Sequence, residues 1–281
     1  MKSLYDIPAP AKLNLFLHIV GQREDGYHLL ESVFMLIDWA DTMHFERRAD
    51  GHISREDLGE TLPELDLVVR AARALQKLSG TRLGAHIAID KRIPSQAGMG
   101  GGSSDAASTL LALNRLWQLN LGLDALLPLG LTLGADVPFF LGGRNAWVSG
   151  IGEKITPVTV PPARFLVAKP AEGLATQGIF LHPQLKRDTE PAIISGFAAD
   201  AYGFGHNDLQ NVAQHICPRI SQALAWLNNL GLKGRMTGSG SAVFARTLHD
   251  MNLQVPPGFQ VKQCDNLPIH PLYGWAASSR L

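Results

Sequence analysis

Residues 11–19 alternate between two sets of side chains, which is the spacing of a β-strand. One set is entirely apolar and consists of Ala11, Leu13, Leu15, Leu17 and Ile19. The other set contains Lys12 and Asn14, which are two strand steps, or about 7 Å, apart. The pattern predicts a half-buried strand that presents Lys12 and Asn14 together on the face opposite the core.

Apolar runs and helix-spaced stripes follow each other irregularly along the rest of the chain. The runs predict strands at 33–37, 85–90, 165–168 and 242–245. Helical spacing predicts helices at 67–78, 104–119, 208–216 and 220–229, and Asp66 is expected to cap the first of them. Because no regular strand-helix-strand rhythm is present, the pattern favours α+β layers over a doubly wound parallel sheet.

A proline-rich stretch divides the chain into two parts. Residues 155–163 contain three prolines and no charged side chain, which is typical of a connection between units. We therefore predict an N-terminal domain over 1–155 and a C-terminal domain over 163–281.

The composition excludes several classes of protein. The 25 Lys and Arg residues balance the 25 Asp and Glu residues, and no block of like charge is present, so we expect no nucleic-acid partner. The longest uncharged stretch, 266–279, contains two prolines and is too short to cross a bilayer, so we expect no membrane partner. Two cysteines outside any metal-ligand spacing and the absence of an apolar leader predict a cytoplasmic location.

A glycine-rich segment, residues 95–104, lies between the strand predicted at 85–90 and the helix predicted at 104–119, and it contains Gly100, Gly101 and Gly102 in succession. Three consecutive glycines allow close approach of the backbone to a ligand, and the first amides of the following helix can bind an anion. A hydroxyl of Ser103 or Ser104 could ligate Mg²⁺ carried by a nucleotide, and Ser104 is our candidate. The alternative is a flexible linker that happens to precede a helix. The segment lacks the lysine of a Walker A loop and the third glycine of a Rossmann turn.

Two isolated charges lie in apolar surroundings. Asp136 is the only charged residue between Asp124 and Arg144, and it could simply cap a helix that has Pro138 in its first turn. Lys12 could be an edge lysine whose ammonium reaches solvent. Each residue could instead be the partner of the other. Such a pair suits phosphoryl transfer to an alcohol, since the carboxylate accepts the hydroxyl proton and the ammonium orients the reacting oxygen.

Four motifs occur in one chain in a fixed order: PAPAKLNLFLHIVGQREDGYH, GMGGGSSDAA, LGADVPFFL and MTGSGSAVF. Together they resemble the GHMP kinase superfamily over most of the chain, most weakly near 47–63, 186–205 and 248–270. The resemblance implies a two-domain α+β architecture, with an N-terminal domain like the second domain of ribosomal protein S5 and a ferredoxin-like C-terminal domain. It places the active site between them.

The opening motif through Tyr27 and His28 is most similar to the branch of the superfamily that acts on a cytidine diphosphate alcohol. This implies ATP-dependent, Mg²⁺-assisted phosphorylation of the 2-hydroxyl of 4-diphosphocytidyl-2-C-methyl-D-erythritol, in non-mevalonate synthesis of isoprenoid precursors. The resemblance makes Asp136 the base and Lys12 its partner. The implied ATP phosphate loop consists of Pro94, Ser95, Gln96, Ala97, Gly98, Met99, Gly100, Gly101, Gly102, Ser103 and Ser104.

The same resemblance assigns residues to the acceptor and to the two bases. Asn14 would contact the acceptor, and Thr176 would lie nearby. Tyr27 and Phe180 would stack on cytosine while His28 binds its polar edge. Asp66 stands where the family often has an asparagine that holds adenine, and it lacks the amide donor. From the residues alone, the two aromatic residues could equally be ordinary core residues, and His28 could be a turn residue.

Two other functions stay open at this point. One is a GHMP kinase for another small alcohol, of the homoserine or mevalonate type, which would leave Tyr27, His28 and Phe180 without a nucleobase. The other is a nucleotide-binding sensor that has the same fold and catalyses no reaction.

Overall fold

A computed structural model describes residues 1–64 and 66–277. The predicted C-terminal domain runs to 281, so its last four residues lie outside the described residues. The boundaries at 155 and 163 stay a prediction. Among the described residues, no helix is long and apolar enough to cross a membrane.

The first half of the chain forms a six-stranded sheet covered by helices on one face. Its elements, in chain order, are β1 (Ser3–Gln22), β2 (His28–Arg48), β3 (Ile53–Asp57), α1 (Leu67–Ser79), β4 (Gly84–Asp90), α2 (Gly101–Leu116), α3 (Leu123–Leu133), α4 (Val137–Gly142), β5 (Ala146–Gly150) and β6 (Lys154–Pro157). The sheet order is β3-β4-β2-β5-β6, with β1 paired to β2. In the part of the chain that the structure describes, β3 and β4 pair in parallel and the other strand pairs of this sheet are antiparallel, which confirms the predicted α+β class.

The second half forms a four-stranded antiparallel sheet with the order β10-β7-β9-β8. Its elements are β7 (Arg164–Pro170), α5 (Thr176–Phe180), α6 (Ile194–Ala199), α7 (Gln210–Ile216), α8 (Pro218–Asn229), β8 (Arg235–Met236), β9 (Val243–Thr247) and β10 (Phe259–Asp265). Helices connect β7 to β8, as expected for a ferredoxin-like unit. The connection from β9 to β10 over 248–258 contains no helix.

Strand β1 is longer and more deeply buried than predicted. We expected a half-buried strand over 11–19, but the strand spans Ser3–Gln22, and Lys12, Asn14 and His18 are at most 6% exposed. The expectation of one solvent-facing side was wrong because both sides are covered: the apolar side packs against the second half of the chain, and Lys12 lies against Phe34 and Gly100. Leu17 is bridged to Asn207, and the Leu17 amide donates to the His206 carbonyl at 2.8 Å.

Helix α1 begins as the sequence predicts, and helix α2 does not. The Asp66 side chain accepts a hydrogen bond from the Val69 amide at 3.1 Å, so it caps α1. We expected α2 to begin near Ser104, but it begins at Gly101, and Gly100 is its N-cap without a side-chain bond. The glycines therefore form the first turn of the helix as well as the loop before it.

Candidate active site

A cavity of about 790 Å³ lies where three parts of the chain meet. They are strand β1, the first turn of α2, and the glycine-rich turn that follows β8, residues 237–241. That volume is within the range of small-molecule sites. Most of the predicted site residues line it, namely Lys12, Asn14, Asp66, every residue from Pro94 to Ser103, Asp136, Thr176 and Phe180. Three predicted residues do not line it, namely Tyr27, His28 and Ser104.

Lys12 and Asp136 face each other at the cavity wall. Lys12 Nζ lies 3.6 Å from Asp136 Oδ2, and the two side chains are 4% and 32% exposed. Burial lowers the pKa of the Lys12 ammonium, and the nearby Asp136 carboxylate opposes that shift. The pair therefore combines a desolvated cation with a carboxylate that is open to the cavity.

The geometry around Asp136 argues against a simple capping role. Asp136 occupies the N-cap position of α4 with Pro138 in the first turn, but its side chain makes no capping hydrogen bond. The carboxylate therefore does not cap α4. Its close charged neighbour is Lys12, from a strand more than a hundred residues earlier.

Asn14 is fixed by hydrogen bonds at both ends of its amide. Its Nδ2 donates to Ser32 Oγ at 2.9 Å, and its Oδ1 accepts from Lys12 Nζ. Its backbone amide donates to Thr237 Oγ1 at 2.9 Å. Thr237 belongs to the second half of the chain, so the two halves jointly orient the Lys12 and Asn14 side chains.

The glycine-rich loop before α2 and the glycine-rich turn after β8 are in direct backbone contact. Gly98 has φ +72°, and a Cβ added there would lie 2.3 Å from the Thr237 carbonyl oxygen. Gly238 has φ +53°, and its added Cβ would lie 2.7 Å from the Gly98 carbonyl oxygen. The Ala242 amide donates to the Ala97 carbonyl at 3.2 Å. Only glycine allows this combination of left-handed backbone and close approach.

The start of α2 presents free amides to the cavity. The Ser104 amide donates to the Gly100 carbonyl at 2.9 Å, which begins the helical hydrogen bonds. The amides of Gly101, Gly102 and Ser103 precede that bond, and these residues line the cavity. Such amides, at the positive end of a helix of sixteen residues, suit an anion such as a phosphate.

The structure favours Ser103 over Ser104 as a contact for Mg²⁺. Ser104 is 0% exposed, and its Oγ has no hydrogen-bond partner among the described residues. Ser103 lines the cavity together with the Asp136 carboxylate. A hydroxyl and a carboxylate are oxygen ligands of the type that Mg²⁺ prefers, so the residues present fit the ion.

Asp66 lies at the cavity wall, but its carboxylate is already engaged. Besides capping α1, Asp66 Oδ1 lies 2.7 Å from Arg55 Nη1. The pair is largely buried, since each side chain is at most 14% exposed. Asp66 therefore stabilises the start of α1 beside the cavity and offers no donor of its own.

The residues predicted to hold the pyrimidine are only partly assembled. Thr176 lines the cavity and its hydroxyl lies 2.8 Å from Ser239 Oγ. The rings of His28 and Phe180 are 5.3 Å apart, and His28 is 9% exposed beside the cavity without lining it. Tyr27 is 62% exposed and lies outside the cavity lining. The predicted sandwich of Tyr27 and Phe180 is therefore not formed in this conformation.

Comparison with known families agrees with this architecture. The model described as GHMP kinases N terminal domain matches residues 66–144, and GHMP kinases C terminal matches residues 190–254. A relative from Albidiferax ferrireducens, named 4-diphosphocytidyl-2-C-methyl-D-erythritol kinase, is 70% identical over 100% of this chain and 98% of its own length. The chain belongs to the GHMP kinase family.

A second relative and two solved structures are also similar to this GHMP kinase. A protein of the same name from Variovorax paradoxus is 62% identical over 98% of this chain and 100% of its own length. A crystal structure of 4-(cytidine 5'-diphospho)-2C-methyl-D-erythritol kinase is 35% identical, with a TM-score of 0.75 over 86% of this chain and 89% of that one. Mevalonate kinase from L. major, 16% identical with a TM-score of 0.67 over 95% of this chain and 97% of that one, shares the fold.

This GHMP kinase also has a buried charge cluster that sequence analysis missed. Lys91 Nζ donates to Asp105 Oδ2 at 2.6 Å and also to Asp41 Oδ2. Burial raises the pKa of the Asp105 carboxyl well above its usual value, although Lys91 opposes the shift. Lys91 and Asp105 line the cavity beside Gly101. Lys91 stands just before the glycine loop, but nothing in the spacing pointed to Asp41, 50 residues away.

Proposed function

We propose that this chain transfers the γ-phosphoryl group of ATP to the 2-hydroxyl of 4-diphosphocytidyl-2-C-methyl-D-erythritol, a step in non-mevalonate synthesis of isoprenoid precursors. The observation that carries the proposal is the Lys12–Asp136 pair, which lies in the same cavity as the glycine loop. Relatives at 62–70% identity over nearly the whole chain have names that agree with this activity.

The phosphate end of the site consists of backbone amides. The amides of Gly101, Gly102 and Ser103 are the donors for the phosphate oxygens of ATP, and the helix dipole adds a smaller attraction. Mg²⁺, when bound, would neutralise charge on those oxygens, and the Ser103 hydroxyl and the Asp136 carboxylate would hold it. We replace the expected Ser104 contact because the Ser104 hydroxyl is buried away from the cavity.

The reacting end of the site is the charged pair. Asp136 accepts the proton of the 2-hydroxyl as the bond between that oxygen and phosphorus forms and the bond to ADP breaks. The Lys12 ammonium, held by Asn14, orients the attacking oxygen and stabilises the charge that develops on the transferred group. A carboxylate is a weak base, but phosphoryl transfer has a loose transition state in which positioning supplies most of the acceleration.

The acceptor end would involve the residues around Phe180. In this proposal Asn14 and Thr176 contact the methylerythritol part, and Phe180 stacks on cytosine. Tyr27 closes over the other face of the base by moving from its exposed position. His28 supplies hydrogen-bonding specificity at the base edge. Asp66 stabilises the start of α1 beside adenine.

The test is a substrate panel with Mg-ATP. We expect ADP and a new phosphomonoester with the cytidine diphosphate alcohol, and at least about 100-fold lower kcat/KM with homoserine or mevalonate. Turnover of one of those alcohols at the higher rate would favour the alternative kinase. Nucleotide binding without substrate-dependent ADP would favour the sensor.

A cytoplasmic location is part of the same proposal. The reaction consumes ATP, which the cytoplasm supplies, and both cysteines, Cys217 and Cys264, are free and buried. Fractionation of cells that produce the protein, with detection in the cytosolic fraction, is the direct check.

A further inference from the structure

Arg187 connects the two parts of the structure that form the predicted pyrimidine end of the site. Its Nε donates to His28 Nε2 at 3.0 Å. Its two terminal nitrogens donate to the carbonyls of Leu185 at 2.9 Å, His182 at 3.0 Å and Phe180 at 3.2 Å. One guanidinium thus holds the first residue of β2 against the segment that follows α5.

This contact determines where the His28 proton lies. A guanidinium has five donors and no acceptor, and it stays charged at every accessible pH. His28 Nε2 must therefore be the acceptor, so a neutral ring carries its proton on Nδ1. A charged imidazolium would place two donors and two positive charges against each other. Burial, and secondarily the charge of Arg187, lower the pKa of His28, which agrees with a neutral ring.

The fixed tautomer has a consequence for base recognition. An Nδ1–H group is a donor. The O2 atom accepts in both pyrimidines, so the discriminating contact is the one with N3, which is an acceptor in cytosine. Uracil carries a hydrogen on N3, so a donor there would meet another donor. A site that leaves a buried polar group unpaired rejects the wrong ligand strongly.

We infer that Arg187 is a positioning residue that determines base choice: it fixes His28 as the Nδ1–H tautomer and so selects cytosine over uracil. The inference rests on the proposed function, because it deepens the account of the same acceptor site. The bond from Arg187 to the Phe180 carbonyl has a second effect, since it holds the Phe180 ring 5.3 Å from the His28 ring.

The decisive kinetic experiment compares two substrates that differ only in the base. We would measure kcat and KM for the cytidine and uridine diphosphate alcohols with the wild type and with Arg187→Met. The cytidine preference should fall at least about tenfold, through a higher KM for the cytidine substrate, with kcat within about threefold. Arg47→Met, an exposed residue at the far end of β2, is the matched control and should keep the preference.

Two further measurements separate this role from simple support of the loop. The ¹⁵N spectrum of the substrate-free protein, with the signal assigned through His28→Asn, should show an Nδ1–H ring in the wild type and a changed ring in Arg187→Met. In the His28→Asn background, Arg187→Met should cause no further loss of base preference, since both changes act through one ring. Arg187→Lys keeps the charge and should retain more preference than the methionine variant.

Three results would overturn the inference. They are an unchanged base preference in Arg187→Met, an Nε2–H ring in the wild type, or an equal loss of preference with and without His28. If Arg187→Met does not fold, Arg187→Lys and the wild-type spectrum decide the question. A wild type that phosphorylates neither substrate refutes the proposed function and the base-choice role together, while the spectrum still decides whether Arg187 sets the tautomer.

Discussion

Lys12 is an expensive residue to bury, and its surroundings indicate why the chain carries it. The side chain is 4% exposed, its ammonium lies 4.6 Å from the centre of the Phe34 ring, and its carboxylate partner is partly open to solvent. Taking an ammonium out of water costs several kcal/mol, and a partly solvated partner returns only part of that. The position is therefore poorly suited to stability alone and well suited to contact with a reacting group.

We expect Lys12→Met to lower kcat at least about 100-fold without destabilising the fold. Methionine fills a similar volume and removes the cost of desolvation, so the melting temperature should be unchanged or higher. The measurements are steady-state ADP release and thermal unfolding, with Lys154→Met at an exposed site as the control. Near-normal turnover in a folded Lys12→Met protein would remove Lys12 from the reaction, and Asp136→Asn tests the carboxylate in the same way.

A buried histidine outside the cavity lining makes stability depend on pH. His270 is 1% exposed, its Nδ1 accepts from the Leu272 amide at 3.0 Å, and burial lowers its pKa from 6.5 to about 4. Between these values the unfolded chain binds a proton that the folded protein excludes. Stability is therefore complete above pH 6.5 and falls as the pH drops toward 4, by up to about 1.4 kcal/mol per pH unit.

The check is urea unfolding of the wild type and His270→Asn across that pH range. The variant should show a shallower slope, because asparagine can still accept the Leu272 amide but does not titrate. The slope should not vanish, since the pKa of His18 is also lowered to about 4. Burial is the larger cause of that shift, and the charge of His206 is the next. His249→Asn at an exposed position is the control, and identical slopes for all three proteins would contradict the account.

Among the elements, the glycine-rich loop before α2 depends on a second loop that is distant in sequence. A Cβ at Gly98 would lie only 2.3 Å from the Thr237 carbonyl oxygen. That neighbour is a backbone atom, so it cannot move aside as a flexible side chain could. Gly80, the C-cap of α1, has a similar φ of +66° but open space around it. The two glycines therefore separate backbone strain from steric overlap.

We expect Gly80→Ala to cost about 1–2 kcal/mol, the penalty of a left-handed alanine. Gly98→Ala should cost at least about 1–2 kcal/mol more and should also raise the KM for ATP, because the loop must shift. Chemical unfolding and nucleotide titration check both effects. Equal costs for the two substitutions, with unchanged ATP binding, would show that the loops tolerate separation.

The sequence predicted elements where local chemistry decides them and failed where a distant segment does. Helix α1 and its Asp66 cap were predicted because capping and periodicity are local signals, and the structure confirms them. The start of α2 was predicted three residues too late, because Gly100 is the N-cap and has no capping side chain that the sequence could have indicated. The contacts of Asn14 with Thr237 and of His28 with Arg187 join parts of the chain that no spacing rule connects.

At the scale of the whole molecule, strand β1 belongs to both halves. One edge pairs with β2 along most of its length, and the residues around Leu17 also bond to 206–208. We call this contact between the residues around Leu17 and 206–208 the seam. The Asp208 carboxylate also lies in it, since it accepts hydrogen bonds from the Ile19 amide and from His206 Nε2, both at 2.7 Å. The arrangement brings Thr237 of the second half within hydrogen-bond distance of the Asn14 amide, next to Lys12.

Asp208→Ala should lower the free energy of unfolding by about 1–3 kcal/mol, because it leaves the Ile19 amide buried without a partner. Asp208→Asn should lose less, since its amide oxygen can still accept that bond. Urea unfolding followed by two probes checks the difference. A similar loss for both variants would mean that the charge of Asp208, rather than the hydrogen bond to Ile19, stabilises the seam.

The contact between the two glycine turns also has a consequence in time. Thr237 is 139 residues further along the chain than Gly98, whose carbonyl it contacts. A ribosome adding roughly 5–20 residues per second needs on the order of ten seconds to make that interval. For that period the nascent protein carries the proposed nucleotide loop without its supporting wall, so we expect firm ATP binding only when translation is almost complete.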